Sequence, residues 1–237
     1  MPNFQLSGLQ SRFLDLLLSS GALKFGNFKT KSGRTSPYFF NTGAFDHGEI
    51  LHDVAACYAE LIISKYPMAN HLYGPAYKGI TLAAATAVEL NQRTKSEVSF
   101  TFNRKEAKDH GEGGMFVGRP LDSSRSILII EDVMTGGTSI RETMNLLLPR
   151  KIPVLGVVIG VDRQERGTGD QLASLEVASQ YGFPVSAILT IDDIVNALWS
   201  GGDSDGQGIN RLGRIWIDAD TKSRINEYRN EWGLVKA

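Results

Sequence analysis

The stretch "SILIIEDVMTGGTSI", residues 126 to 140, constrains this chain more than any other. Ser126 to Ile130 is nearly all apolar, as a central strand covered on both faces must be. Two adjacent acids follow, Glu131 and Asp132, and then a loop of Thr, Gly, Gly, Thr and Ser. A strand, a glycine turn and a helix in this order belong to an α/β sheet, where ligands bind beyond the carboxyl ends of the strands. Gly136 and Gly137 let the backbone turn tightly, and Thr138 and Ser139 open a helix whose first N–H groups are free for a phosphate. Ser139 and Glu142 also have capping-box spacing, a competing structural use. Two carboxylates beside a phosphate repel it unless they face something else, and a ribose diol is their natural partner. The loop therefore reads as one that holds a sugar phosphate by both ends. A plain capped strand-to-helix turn is the alternative.

The rest of the chain agrees with an α/β fold. Apolar periodicity predicts helices over Leu9 to Ser19, Asp53 to Tyr66, Ile80 to Asn91, Ser139 to Leu148, Asp170 to Tyr181 and Asp220 to Trp232. Short β-branched runs predict strands over His71 to Tyr73, Val98 to Phe102, Ser126 to Ile130, Val154 to Val161 and Val185 to Ile191. Their alternation from Asp53 onward points to a mainly parallel central sheet flanked by helices. The first 50 residues stand outside it and read as a small flap or hood; residues 51–237 read as one core. "WSGGDSDGQGIN", residues 199 to 210, is a Gly/Asp/Ser loop before the last helix.

Composition narrows the class of function. A net charge of −1 gives no global pull toward nucleic acid or membrane, so anion binding must be local. The single cysteine, Cys57, cannot form an internal disulfide, and no apolar run is long enough for a membrane span, so a soluble cytoplasmic protein is expected. "GPAYKGIT" (74 to 81) has P-loop glycine spacing, but Ile80 stands where that motif needs Lys. Neither a G-x-G-x-x-G nor a paired-cysteine or H-E-x-x-H metal pattern occurs. Of the four histidines, His47, His52 and His71 read as structural or surface residues, whereas His110 sits in a charged loop.

Four apolar residues, two acids and T-G-G-T-S resemble the phosphoribosyl pyrophosphate (PRPP) motif of type I phosphoribosyltransferases. "LKFGNFKTKSGRTSPYFFNTG" (23 to 43), "YGPAYKGI" (73 to 80), "FNRKEAKDHGEGG" (102 to 114) and "GVDRQERG" (160 to 167) are similar to the orotate branch of that family. Glu131 stands where many members carry Asp, one methylene shorter. The resemblance implies transfer of ribose 5-phosphate from PRPP to N1 of orotate with Mg²⁺, giving orotidine 5′-monophosphate and pyrophosphate, a step of de novo pyrimidine synthesis. It also implies that the protein supplies no direct metal ligand, Mg²⁺ being held by PRPP and water.

An oxocarbenium-like transition state needs cations at the departing pyrophosphate more than a strong base. "RKEAKDH" supplies Arg104, Lys105, Lys108 and His110, and the glycines after it permit a mobile lid over residues 104–118. The resemblance makes Lys108 catalytic together with Glu131 and Asp132, whose carboxylates bind the ribose hydroxyls. It places Tyr77 and Lys78 at the pyrophosphate, in a turn with a non-proline cis peptide, and Lys31 reaching PRPP from the flap. Val133, Met134, Thr135, Gly136, Gly137, Thr138 and Ser139 form the phosphate loop. Phe39 and Phe40 close over the flat orotate ring, with core packing as their structural alternative. Arg163 pairs with the orotate carboxylate and Thr135 contacts orotate from the other side. The resemblance further implies a homodimer whose lids reach the neighbouring active sites. A purine- or uracil-specific transferase is disfavoured by the "KSGRTSPYFFN" flap. A nucleic-acid-binding regulator is disfavoured by near-neutral charge and the retained lid.

Overall fold

The computed structural model describes residues 5–29, 35–108, 114–199 and 217–233, with the backbone alone at 107 and 108. Lys31, His110, the side chain of Lys108 and all but the first residue of the 199 to 210 loop lie outside the described residues.

Helix α1 (Gly8–Ser19) starts at Ser7, whose hydroxyl accepts from the Gln10 N–H while the Gln10 side chain returns the bond. Strands β1 (Leu23–Lys29) and β2 (Thr35–Phe40) then form a separate antiparallel pair. The expected flap is therefore a helix followed by a two-stranded ribbon. Helix α2 (Gly48–Lys65) begins a turn earlier than the periodicity predicts, with Glu49 favourably placed in its first turn.

From here strands and helices alternate: β3 (His71–Gly74), α3 (Lys78–Thr94), β4 (Ser99–Lys108), β5 (Gly114–Gly118), β6 (Ile127–Met134), α4 (Thr138–Leu147), β7 (Val154–Asp162), α5 (Ala173–Tyr181) and β8 (Val185–Thr190), then α6 (Ile191–Leu198) and α7 (Ala219–Trp232). The main sheet has the order β5-β4-β3-β6-β7-β8, parallel throughout except for β5, which pairs antiparallel on the edge. Chain progression reverses between β3 and β6. That reversal opens a crevice beyond the ends of these two strands, the standard ligand position in such a sheet.

Strand β6 shows why the fold holds. Leu128 and Ile130 enter a core built with α1, α2 and α3, whereas Ile127 and Ile129 enter a second core with α4 and α5. The period of two divides one apolar run between both sheet faces. All four residues are fully buried, each contributing roughly 1.5–3 kcal/mol of transfer free energy.

Three differences from the sequence reading have local causes. The apolar run from Val185 does not stay extended through Ile191, because Thr190 caps α6 in a reciprocal bond with Asp193. Strand β4 continues to Lys108, so the lid's arms form a β-ribbon with β5. Helix α4 has Gly137 at its N-cap and no side-chain cap, so the Ser139/Glu142 capping box is not formed.

Candidate active site

The crevice is framed by the turn after β3 and the loop after β6. The β3 turn is compressed: a Cβ on Gly74 would lie 2.2 Å from the Gly79 carbonyl oxygen, so only glycine permits this approach. The Ala76–Tyr77 peptide in that turn is cis. Asn103, from the neighbouring β4, accepts bonds at Oδ1 from the Ala76 N–H and the Tyr73 hydroxyl, both 3.1 Å. Tyr77 is largely exposed and carries Lys105 Nζ 5.1 Å above its ring, while Arg104 donates to the Gly114 carbonyl at 3.1 Å.

Lys78 opens α3 and points across the crevice, with Nζ 3.2 Å from Asp132 Oδ2. Asp132 also accepts a short bond from the Thr42 hydroxyl, which belongs to a single 3₁₀ turn after the flap. Glu131 occupies the opposite sheet face, as strand alternation requires, and accepts a short bond from the Ser139 hydroxyl of α4. The two adjacent carboxyls bond to different elements, yet they stay close enough for Asp132 to act on Glu131. Each already holds a protein hydroxyl, the kind of donor that a ribose would present.

The phosphate loop leaves α4 open. Its first turn has no acidic residue, so the N–H dipoles of Thr138 and Ser139 are uncompensated by charge. A side-chain cap contributes about 1 kcal/mol to a helix, and this one forgoes it. Gly137 is left-handed at φ 77, and a Cβ there would press within 2.9 Å of Arg141 Nη1. Arg141 itself donates to the Gly136 carbonyl at 2.6 Å and pairs with Glu176 of α5. Turning that carbonyl toward Arg141 leaves the following N–H groups to face the crevice.

Burial dominates the electrostatics at Glu131. It is 7% exposed, and desolvation, followed by the neighbouring charge of Asp132, pushes its pKa up to about 8 against the pull of the Ser139 bond. The folded protein thus keeps a proton that the unfolded chain releases near 4.5. Stability should be fullest below that lower value, fall as pH rises toward about 8, and level off above it. Glu131→Gln removes the titration. Melting of the ligand-free variant should decline less than wild type between about pH 5 and 8. Parallel declines would place the buried proton elsewhere.

The residues expected at the base lie between the flap and the end of β7. Phe39 is 40% exposed and stacks on Phe28 with ring centroids 5.4 Å apart. Phe40 is 5% exposed and lies in the core, so alternation along β2 separates the two rings. Only Phe39 presents a ring surface; Phe40 can contribute through its backbone. Arg163 is buried just past β7, its backbone N–H donating to Met134 of the phosphate loop at 3.2 Å. Thr135 is exposed at the same loop.

Relatives decide the family. A phosphoribosyl transferase domain model matches residues 45–195. The orotate phosphoribosyltransferase of Pseudomonas putida strain W619 is 48% identical over 190 residues, covering 80% of this chain and 88% of that protein. That of Laribacter hongkongensis is 42% identical over 229 residues, 97% of this chain and all of its own. The crystal structure of orotate phosphoribosyltransferase from Francisella tularensis superposes with a TM-score of 0.74 at 34% identity, over 93% of this chain and 98% of that one. The chain belongs to the orotate phosphoribosyltransferases. It is an enzyme of the phosphoribosyl-transferring type, and its sheet and helices are those of the type I fold.

Within that family frame, several residues at the site have no role assigned from the sequence. Thr42 reaches Asp132 from ninety positions away, and Asn103 supports the cis turn from a neighbouring strand. Tyr58, buried in α2, donates to the Glu131 carbonyl at 2.8 Å, and burial raises its pKa well above the ordinary phenol value, keeping it a donor. None of the three falls in a recognisable spacing with the acids. Arg141 lies closer to legibility, two residues past Ser139 on the same helix.

Proposed function

We propose that this chain transfers ribose 5-phosphate from PRPP to orotate, giving orotidine 5′-monophosphate and pyrophosphate in pyrimidine synthesis. The observation that carries the reading is the end of β6, where two buried acids meet an uncapped helix and Lys78. A sugar phosphate fits that arrangement at both ends. The N–H groups of residues 135 to 139 take the 5′-phosphate, with Val133 and Met134 setting the strand end from which the loop departs. Asp132 and Glu131 accept from the ribose hydroxyls in exchange for Thr42 and Ser139. Lys78, freed from Asp132, turns to the diphosphate beside Tyr77, over whose ring Lys105 stands, with Arg104 on the same strand.

Magnesium suits this donor set as a substrate-borne ion. Mg²⁺ keeps several waters and takes phosphate oxygens readily. Among the described residues no group of three or more His, Cys, Asp or Glu could cage a metal, whereas the two hard carboxylates can steady an ion held by the diphosphate and diol. When bound it neutralises charge on the leaving group. As the bond to pyrophosphate lengthens, positive charge grows on the ribose, and the nearby Asp132 carboxylate favours it. Lys108, on the β4 arm of the lid, with His110 beyond it and Lys31 from the flap, completes the cationic set around the departing pyrophosphate. Orotate lies against Phe39 and the Phe40 backbone, with Arg163 and Thr135 at its edges. We assign the working form to a homodimer whose lids cross to the neighbouring sites. Among the described residues no helix is long and apolar enough to cross a membrane.

Arg163→Lys tests the base side. A lysine point charge cannot reproduce a planar fork, so the variant should bind PRPP normally and lose most orotate use. Near-normal orotate turnover would remove Arg163 from base recognition.

A further inference from the structure

Arg163 is too buried and too well tied to be a free arm waiting for a ligand. Its Nε and Nη2 donate to one oxygen of Glu165, at 2.7 and 2.6 Å, and Nη2 also reaches the Ser36 hydroxyl at 3.1 Å. The guanidinium lies 4.8 Å above the Tyr38 ring. Glu165 is 2% exposed and Arg163 is 5% exposed, so this ion pair lies in the interior. A buried pair holds its geometry only if the remaining lone pairs are satisfied. Tyr228, on α7, supplies one such bond: its hydroxyl donates to the same Glu165 oxygen at 2.9 Å and lies 3.4 Å from Arg163 Nη2.

We infer that α7 belongs to the base-recognition apparatus, with Tyr228, acting through Glu165, as the positioning residue that sets the Arg163 guanidinium. This rests on the proposed role of Arg163 at the base. The helix is also anchored to the flap, to the segment after β7 and to α6. Tyr228 packs edge-on against Tyr38 of the flap, with ring centroids 5.7 Å apart. Arg224 donates to the Asn27 side chain in β1 at 2.8 Å. The Arg166 N–H donates to the Trp232 carbonyl at 2.8 Å, and Arg229 pairs with Asp192 at 2.6 Å. Flap, β7 loop and α6 thus meet on one helix.

The pairing also changes what Arg163 can recognise. Glu165 cancels its charge and takes one edge of the fork, so selectivity comes from the direction of the remaining N–H groups more than from a bare positive field. Directional recognition is sensitive to a rotation of the fork. Losing the Tyr228 hydroxyl removes one of the donors that hold Glu165 and lets the pair shift, whereas the backbone bond from Arg163 to Met134 of the PRPP loop stays in place.

Tyr228→Phe keeps the ring and its contact with Tyr38 and removes only the hydroxyl. We expect KM for orotate to rise about five- to twentyfold, with kcat within about twofold of wild type and KM for PRPP unchanged, as a loss of about one hydrogen bond gives. Arg229→Ala serves as the comparison, since it loosens the outer face of α7 without touching Glu165; it should lower the melting temperature and leave both KM values alone. An unchanged orotate KM in Tyr228→Phe would overturn the inference. So would equal rises for orotate and PRPP, or the same orotate rise in Arg229→Ala, because general docking of the helix would then explain the effect. Arg163→Lys separates the two levels. If it loses orotate use while Tyr228→Phe does not, only the role of α7 fails; if it keeps orotate use, the base-side reading fails with it.

Discussion

Lys108→Ala is expected to cut kcat by roughly 10²–10³, as removal of one preorganised charge partner does elsewhere, with a much smaller change in PRPP affinity. In the proposed role the cation acts where negative charge develops on the leaving pyrophosphate, so its contribution would belong to the transition state. Its backbone position fits a lid. Strand β4 carries it to the tip of a ribbon that pairs Lys108 with Gly114, at the outer edge of the sheet. A lid rooted at an edge strand can lean toward a second subunit. The proposed crossing of lids makes subunit exchange informative. Mixing Lys108→Ala subunits with Asp132→Asn subunits puts one intact lid and one intact loop together in each mixed dimer. Activity should then recover to about a quarter of wild type, because about half the dimers are mixed and each has one good site of two. No recovery after verified exchange would show that each lid serves its own chain.

Asp132→Asn is expected to weaken PRPP binding and turnover together, by about 1–3 kcal/mol for a lost charge-assisted hydrogen bond. Asp132 anchors Lys78 at 3.2 Å and holds Thr42, so the amide disturbs both partners as well as the sugar. Glu131→Asp is expected to be mild, since it restores the residue that many members carry. The longer acid is bonded to Ser139, and shortening it stretches that contact. Titrating PRPP into each variant and measuring turnover at saturation checks both. A severe Glu131→Asp defect beside a silent Asp132→Asn would invert the roles of the two acids.

The fold was legible wherever periodicity alone fixes the outcome. Ser126 to Ile130 reads as a doubly covered strand, and residues 127 to 130 are one, because the run is short, apolar and ends at once in charge and glycine. Helix α6 was hidden by its own apolarity: Ile191 prolongs the run from Val185, and only the Thr190 cap breaks the strand. Strand β5, "GMFVG", is too short and too glycine-bounded to stand out, and it forms because β4 offers an edge. At the site, the acids and the glycine loop were legible because consecutive charges after a buried strand demand partners. Which partners they take was not, since Thr42, Lys78 and Ser139 arrive from three different elements. Likewise "GVDRQERG" displays Arg163 and Glu165 two positions apart, but Tyr228, sixty-five residues from Arg163, comes into contact only through the docking of α7. Phe39 and Phe40 look equivalent in sequence, yet strand alternation sends one to the surface and the other to the core.

The most direct test follows orotate absorbance after mixing purified protein with PRPP, Mg²⁺ and orotate, with uracil and hypoxanthine as parallel bases. The account predicts orotate consumption that requires both PRPP and Mg²⁺, together with pyrophosphate release, and negligible turnover of the other two bases. Turnover of uracil or hypoxanthine in preference to orotate, or no consumption of orotate by folded protein, would contradict it.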